Sequence, residues 1–431
     1  MKKRSLKQNP LKATFSLSQK SQDVACFGYV LARKRLNFIR IVIVSLLMLY
    51  VSIFTDCSQT GSPRKIGDLP TVATNVNGLI VCDKSLLNET ITIPLSFFIE
   101  GELQIVKLDD SDEALVKNNA AIISDNYILI QGEMPTPCKL FDKNTGTFIS
   151  NIGSIGQGPN EYRAIYDQQI DELNNRIYLL PWNENKILVY DLKGKALEPI
   201  PLCHSVPKGG FNVDTKAETV TVATLPFGNA QAVVWKQSFN GTMLNYIHPE
   251  HLVLQPDFSN ELIVYKEDDI FDFFIFSIAS RADTLYRYDC TANKLIPLFT
   301  CHFEELKSFH FFAESSKFYF GDISEHKQVG PNMTSSQNRR TYFIDKQTLK
   351  GTYFILENDF LGGIEIEKPI FVLNGENFVY NADPGDLRDN LEKQLNSGKN
   401  LTPEMRKKLT KLKDSITDND NNYIFYAKYK K

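Results

Sequence analysis

The feature that most restricts the fold is a short unit that keeps returning: a strand-like run, an Asp, a few turn residues and a second strand-like run. It recurs as FDKNTGTF from Phe141 to Phe148, VYDLKGK from Val189 to Lys195, YDCTANK from Tyr288 to Lys294 and FIDKQTLKG from Phe343 to Gly351. An Asp at the head of a turn can accept backbone N–H groups, and Gly or Asn can take the left-handed backbone that a tight turn needs. The flanking runs are rich in β-branched and aromatic residues, so each unit reads as an antiparallel hairpin. The chain has 29 Phe and 18 Tyr, a bias that suits sheets better than helix bundles.

From about residue 90 these hairpins follow one another with little helix between them, which points to a radial or stacked all-β architecture. Dividing residues 89–431 by six gives units of about 55 residues, so the expectation is a six-bladed β-propeller. A β-solenoid would have shorter, more regular repeats. Two separate sandwiches would not carry one turn pattern through the entire chain. One stretch breaks the pattern. About residues 386–415 are charged and helix-like, with Thr402 and Pro403 placed as N-cap and first helical residue, and they read as a helical insertion in the last blade.

The N-terminus has a different character. A basic stretch, ARKRLNFIR, is followed by the apolar run Ile41 to Phe54 and then by TDCSQTGSP, the layout of a secretory signal. This run of fourteen residues falls short of the ~20 that span a bilayer. Cys57 stands just after the run, where a bacterial lipoprotein carries its lipid-modified cysteine, although Phe54-Thr55-Asp56 lacks the usual small residue before it. Residues 1–57 are therefore read as a leader and 58–88 as a tether and lead-in, with a cleaved soluble form or a simple N-terminal membrane anchor as alternatives. The basic region lies far from Met1, and initiation near Val30 or Leu31 is expected.

Seven cysteines, without a C-x-x-C pair, argue against a disulfide framework and a zinc ribbon. With Cys57 lipidated and the leader removed, five remain; export would permit a bond that spacing does not identify. The net charge of -3 and the pI near 6.1 give no general attraction for nucleic acid, and no nucleic-acid motif is seen.

The stretch GSIGQGPNEY, Gly153 to Tyr162, together with DTLY at Asp283 to Tyr286 and the ending LTKLKDSITDNDNNYIFY, resembles the six-bladed β-propeller proteins common in Bacteroides and related gut bacteria. Many of those are predicted lipoproteins of unknown function. The resemblance covers roughly residues 90–430. It implies a six-bladed propeller at the cell envelope and supplies no catalytic residues.

The residues themselves offer few sites. Gly158 is followed by Pro159 and Asn160, which rules out a Walker loop, and Pro159 lacks the N–H a dinucleotide fingerprint uses. The stretch is read first as an inter-blade turn. If it borders a ligand, the contacts are Gln157, Asn160, Glu161 and Arg163. Trp182, between Pro181 and Asn183, is placed near a turn and could stack on a sugar ring; Trp235 is the weaker candidate. The HPEH stretch, His248 to His251, has the wrong spacing for a metal pair, and the acidic clusters lack the calcium-loop glycine. No metal or cofactor is expected. The reading is a cell-envelope binding protein for a carbohydrate, a peptide or an envelope protein, with a glycan or glycopeptide as the ligand class the resemblance suggests and a propeller hydrolase or lyase acting on glycans as the alternative. Its expected location is the envelope, on a lipid anchor.

Overall fold

The computed structural model describes residues 68–430, other than 268–269, 278–283, 303–307, 331–332, 370–371 and 374. Cys57 and the leader lie outside the described residues. Leu69–His326 and Ser336–Lys431 form one compact unit; Lys327–Ser335 and Met1–Asp68 fall in a second.

The first unit is a β-propeller. Blade 1 comprises Ala121–Ile123, Tyr127–Ile130, Cys138–Asp142 and Phe148–Ile152. Blade 2 comprises Ile165–Asp171, Arg176–Pro181, Glu184–Tyr190 and Ile200–Val206. Blade 3 is Gly209–Asp214, Thr219–Thr224, Val234–Ser238 and Met243–Ile247, and blade 4 is Glu261–Glu267, Ile270–Phe276, Thr284–Asp289 and Lys294–His302. Blade 5 is Ser308–Glu314, Phe318–Gly330, Met333–Asp345 and Gly351–Asn358. First strands of successive blades lie against each other from blade 1 through blade 4.

The turns form as the repeated Asp implies. Asp142 Oδ1 accepts the N–H groups of Asn144 (3.0 Å) and Thr145 (2.8 Å). Asp289 does the same with Thr291 and Ala292, and Asp345 with Gln347 and Thr348. Gly146 and Gly194 then turn the chain back with φ of 72° and 77°.

Between blades, alternate residues of one strand serve two neighbours. In blade 4, Phe271, Phe273 and Ile275 pack with Ala223 and Val234 of blade 3. Phe274 and Phe276 pack on the other side with Phe312 and Tyr342 of blade 5. This is why the FDFFIF run, Asp272 aside, is apolar on both faces instead of alternating. Trp235 is fully buried among Tyr178, Phe211 and Val222, so it is core and offers no sugar platform.

The expected count of six blades is corrected to five. After blade 5 the chain supplies only Asn377–Ala382 and Tyr423–Lys428 to the next sheet, and the N-terminal strand Gln104–Lys107 adds the third strand. Much of the intervening chain goes into helices, Pro384–Leu395 and Pro403–Ser415. Thr402 caps the second helix through Met405 N–H (3.1 Å), as its position implies, and Asp383 caps the first. The result is a three-stranded closing sheet beside five four-stranded blades.

Two further N-terminal segments cover blade edges, which would otherwise expose unpaired backbone. The hairpin Ala73–Val76 with Leu79–Asp83 joins the outer strand of blade 4, and Thr90–Pro94 runs parallel to Gly351–Asn358 of blade 5. The lead-in expected over 58–88 thus carries a hairpin built into a blade. Phe98 follows and wedges among Phe318, Phe320, Phe343 and Phe354, with ring centroids 5.4 to 6.3 Å away.

Candidate functional site

The first strands of blades 2 and 3 end at Asp171 and Asp214, and beyond these ends lies a cavity of ≈ 2220 Å³. Turns of blades 1 to 4 and the closing sheet line it. Gln169, Asn212, Thr221 and Asn377 bring amides and hydroxyls; Lys143, Lys236 and Arg287 bring positive charge; Asp214, Glu172 and Glu376 bring negative charge.

Several of these groups are fixed by neighbouring blades. Gln169 of blade 2 accepts from Val213 N–H (2.9 Å) and donates to its carbonyl (3.0 Å) in blade 3. Glu172 accepts from Ser124 Oγ (2.7 Å) and from the backbone and side chain of Asn126 in blade 1. Partial burial pushes the Glu172 carboxyl up, but the Asn126 and Ser124 hydrogen bonds outweigh it and hold the group below its ordinary range. Lys143 donates to the Ser124 carbonyl (2.6 Å) and lies 5.5 Å from the Tyr426 ring; burial lowers its pKa.

Behind Arg287 lies a buried charge cluster. Arg287 makes two bonds to Asp272 across blade 4, Nε to Oδ1 at 2.8 Å and a terminal nitrogen to Oδ2 at 2.6 Å. Asp272 occupies the face of its strand that looks toward blade 5. There Glu314 binds Lys346 at 2.5 Å. Both carboxyls are wholly buried. Burial pushes Glu314 up to about 8; Lys346 pulls it down and the neighbouring Asp272 pushes it further up. Glu314 therefore keeps its proton through much of the neutral range. Sequence reading did not single out these four residues, yet one signal was present: Asp272 is a lone charge inside FDFFIF, and a charge in an apolar run needs a partner.

The residues proposed from sequence lie at the other end of the blade 2 strands. Trp182 N–H donates to the Ala164 carbonyl (2.9 Å), just before the first strand begins, and Trp182 meets Phe258 edge-on at 5.7 Å. Gln157, Asn160 and Arg163 are exposed there, and none of the five lines the large cavity. The Gly-rich stretch links blade 1 to blade 2. Glu161 accepts from Gly158 N–H (2.8 Å), the Asn160 carbonyl accepts from Tyr190 (2.7 Å), and Tyr162 donates to the Ile152 carbonyl (2.6 Å).

His251 lies 3.4 Å from the Tyr286 hydroxyl, and His248 Nδ1 accepts from Glu250 N–H. Among the described residues no three His, Cys, Asp or Glu side chains are grouped to hold a metal ion. Asp420, in the acidic cluster nearest a calcium pattern, is instead bound by Lys107, Thr417 and Tyr423. Among the described residues no helix is long and apolar enough to cross a membrane.

No curated protein matches the chain. Among solved structures, one similar chain is described as a "Putative exported protein" from Bacteroides fragilis NCTC 9343. It is 16% identical with a TM-score of 0.55, over 82% of this chain and 100% of that one. That similarity is one of fold. A member of the DUF4221 family from Bacteroides vulgatus is 8% identical with a TM-score of 0.37, covering 77% of this chain and 97% of the other. A periplasmic gluconolactonase of Pseudomonas aeruginosa is 9% identical with a TM-score of 0.33, over 59% and 94%. Residues 80–428 match the model of the domain of unknown function DUF4934, and the chain belongs to that family.

Proposed function

We propose that the protein is a cell-envelope binding protein that takes a glycan or glycopeptide segment into the ≈ 2220 Å³ cavity, and that a lipid on Cys57 holds it to the membrane. The observation that carries this reading is the lining itself. Amides, hydroxyls and charges of both signs converge from four blades and the closing sheet, which suits a polyhydroxylated ligand that carries charge. The basic and apolar runs before Cys57 and the likeness to a Bacteroides chain described as exported support the envelope location. The exposed Trp182, with Phe258 beside it, gives the opposite face a smaller aromatic platform, with Gln157, Asn160, Glu161 and Arg163 nearby.

Calorimetric titration with peptidoglycan fragments and host-type oligosaccharides tests the reading. Asn212→Trp, which puts an indole in place of an amide in the lining, is expected to abolish binding, while Trp182→Ala leaves it unchanged. The reverse result would move the site to the opposite face. Loss of lipid labelling in Cys57→Ala tests the anchor.

The carboxyls of Glu172, Asp214 and Glu376 in the cavity lining support a second reading, a glycan hydrolase or lyase that uses one of them as an acid. Release of new reducing ends by the wild type, lost when one of these carboxyls is changed to its amide, would establish it. Recovery of intact ligand after long incubation would leave binding as the activity.

A further inference from the structure

Cys82 and Cys301 are register partners where the strand Leu79–Asp83 runs parallel to Lys294–His302, the outer strand of blade 4. Paired strands lie about 4.8 Å apart, inside the ~4.4–6.8 Å span of Cα separations that a disulfide bridges. Residues in register also project to the same face of a sheet, so the two sulfurs meet. Both side chains are buried in one cluster with Phe274, Phe299 and Tyr342. The other described cysteines stand elsewhere: Cys138 packs between blades 1 and 2, Cys203 with blades 2 and 3, and Cys290 with blades 3 and 4. The Cys82 thiol is held well above its usual range, first by its hydrogen bond to Cys301 and then by burial. Once packed, the reduced Cys82 thiol is therefore a poor nucleophile.

We propose that Cys82 and Cys301 form a disulfide when the chain folds in an oxidising compartment, making the join between the N-terminal hairpin and blade 4 covalent. The proposal rests on the export reading. The oxidant is a disulfide-bearing protein or small molecule. One cysteine thiolate attacks it to give a mixed disulfide, and the other thiolate displaces the remaining oxidant sulfur. The oxidant takes the electron pair together with the two protons the cysteines give up, and departs as a dithiol or as two thiols. Burial of both sulfurs places this exchange before the hairpin docks. The bond has a mechanical consequence. The hairpin is held to blade 4 by Ile80–Asp83 along Phe299–His302, and this join is the next to take tension from an anchor at Cys57 after the contacts of Pro70–Val72 with Leu349–Gly351.

Full-length protein from an exporting host is denatured in iodoacetamide without reductant, digested with trypsin and mapped by mass. The expected product is a linked pair of the peptides Ile66–Lys84 and Leu295–Lys307, which disappears on reduction, while Cys138, Cys203 and Cys290 are alkylated. In Cys301→Ala, Cys82 is expected to be alkylated as well. Alkylation of both Cys82 and Cys301 in exported wild type, or a link from either to another cysteine, overturns the proposal. Fractionation separates the two ideas. If the protein is retained in the cytosol, the export reading fails, and refolding the purified chain in a glutathione redox buffer tests the bond by itself: the linked pair supports it, and two alkylated thiols overturn it.

Discussion

Lys266 of blade 4 reaches across the first strand of blade 3 and places its ammonium 2.6 Å from Oδ2 of Asp167 in blade 2. On the way it donates to the Phe211 carbonyl (2.9 Å), while Phe211 N–H donates to the same Asp167 oxygen (2.8 Å). Three blades are thus laced by one ion pair and the backbone of one residue. Both side chains are mostly buried, so removing one partner strands the other. Lys266→Met is expected to cost about 1–3 kcal/mol in urea unfolding. The double variant with Asp167→Asn should cost less than the sum of the single changes, and strict additivity would show that the pair does not couple the blades.

The carboxyl pair between blades 4 and 5 makes stability depend on pH. Glu314 lies at about 8 in the folded chain against an ordinary 4.5, because burial and Asp272 outweigh Lys346. Below the ordinary value both states hold the proton. Between the two values the unfolded chain releases it and the folded chain keeps it, so stability falls as pH rises through that window. Arg287, Asp272, Lys346 and Tyr319 are the charged or titratable groups around it. Glu314→Gln removes the titration. Between pH 5 and 8.5 the wild type should lose on the order of 4 kcal/mol relative to this variant. Parallel urea midpoints at the two pH values would refute the buried Glu314 proton.

Ring closure depends on a short polar clip. Lys107 ends the N-terminal strand of the closing sheet and binds Asp420 at 2.9 Å, three residues before the C-terminal strand begins. Burial pushes the Asp420 carboxyl up, but hydrogen bonds from Thr417, Lys107 and Tyr423 hold it at about 2. A depressed carboxyl stabilises the fold above its ordinary pKa, and that contribution is lost as pH falls through the folded value. Asp420→Asn is expected to cost about 1.5–3 kcal/mol at neutral pH. The gap between variant and wild type should narrow below pH 3, and a constant gap down to pH 2 would assign the loss to something other than the charge.

What could be read from sequence was local. The Asp142, Asp289 and Asp345 turns close within three residues, so strand, Asp and turn chemistry suffice to place them. Thr402 was legible as a cap for the same reason. The blade number was not, because Gln104–Lys107 pairs with Tyr423–Lys428 across nearly the whole chain. Dividing the length by six also counted residues 384–415 and the edge-covering segment Thr90–Pro94 as blade material. The cavity was hidden for a related reason: its wall is assembled from turn residues far apart in the chain, none of which carries a motif.

The Gly-rich stretch offers a way to separate architecture from binding at the face opposite the cavity. Gly153 has φ of 72°, and a Cβ there would stand 2.6 Å from the Tyr190 hydroxyl, the group that donates to Asn160. Gly153→Ala combines a left-handed penalty with displacement of that hydroxyl, and an expected loss of about 2–4 kcal/mol follows. Gln157 and Arg163 are exposed on the same loop, and Gln157→Ala or Arg163→Ala should shift stability by no more than ~0.5 kcal/mol. These two variants therefore report on function without disturbing the turn. If they leave thermal melting unchanged but weaken binding of a ligand that Asn212→Trp does not affect, the loop carries a second site; if neither property moves, the stretch serves only to join blade 1 to blade 2.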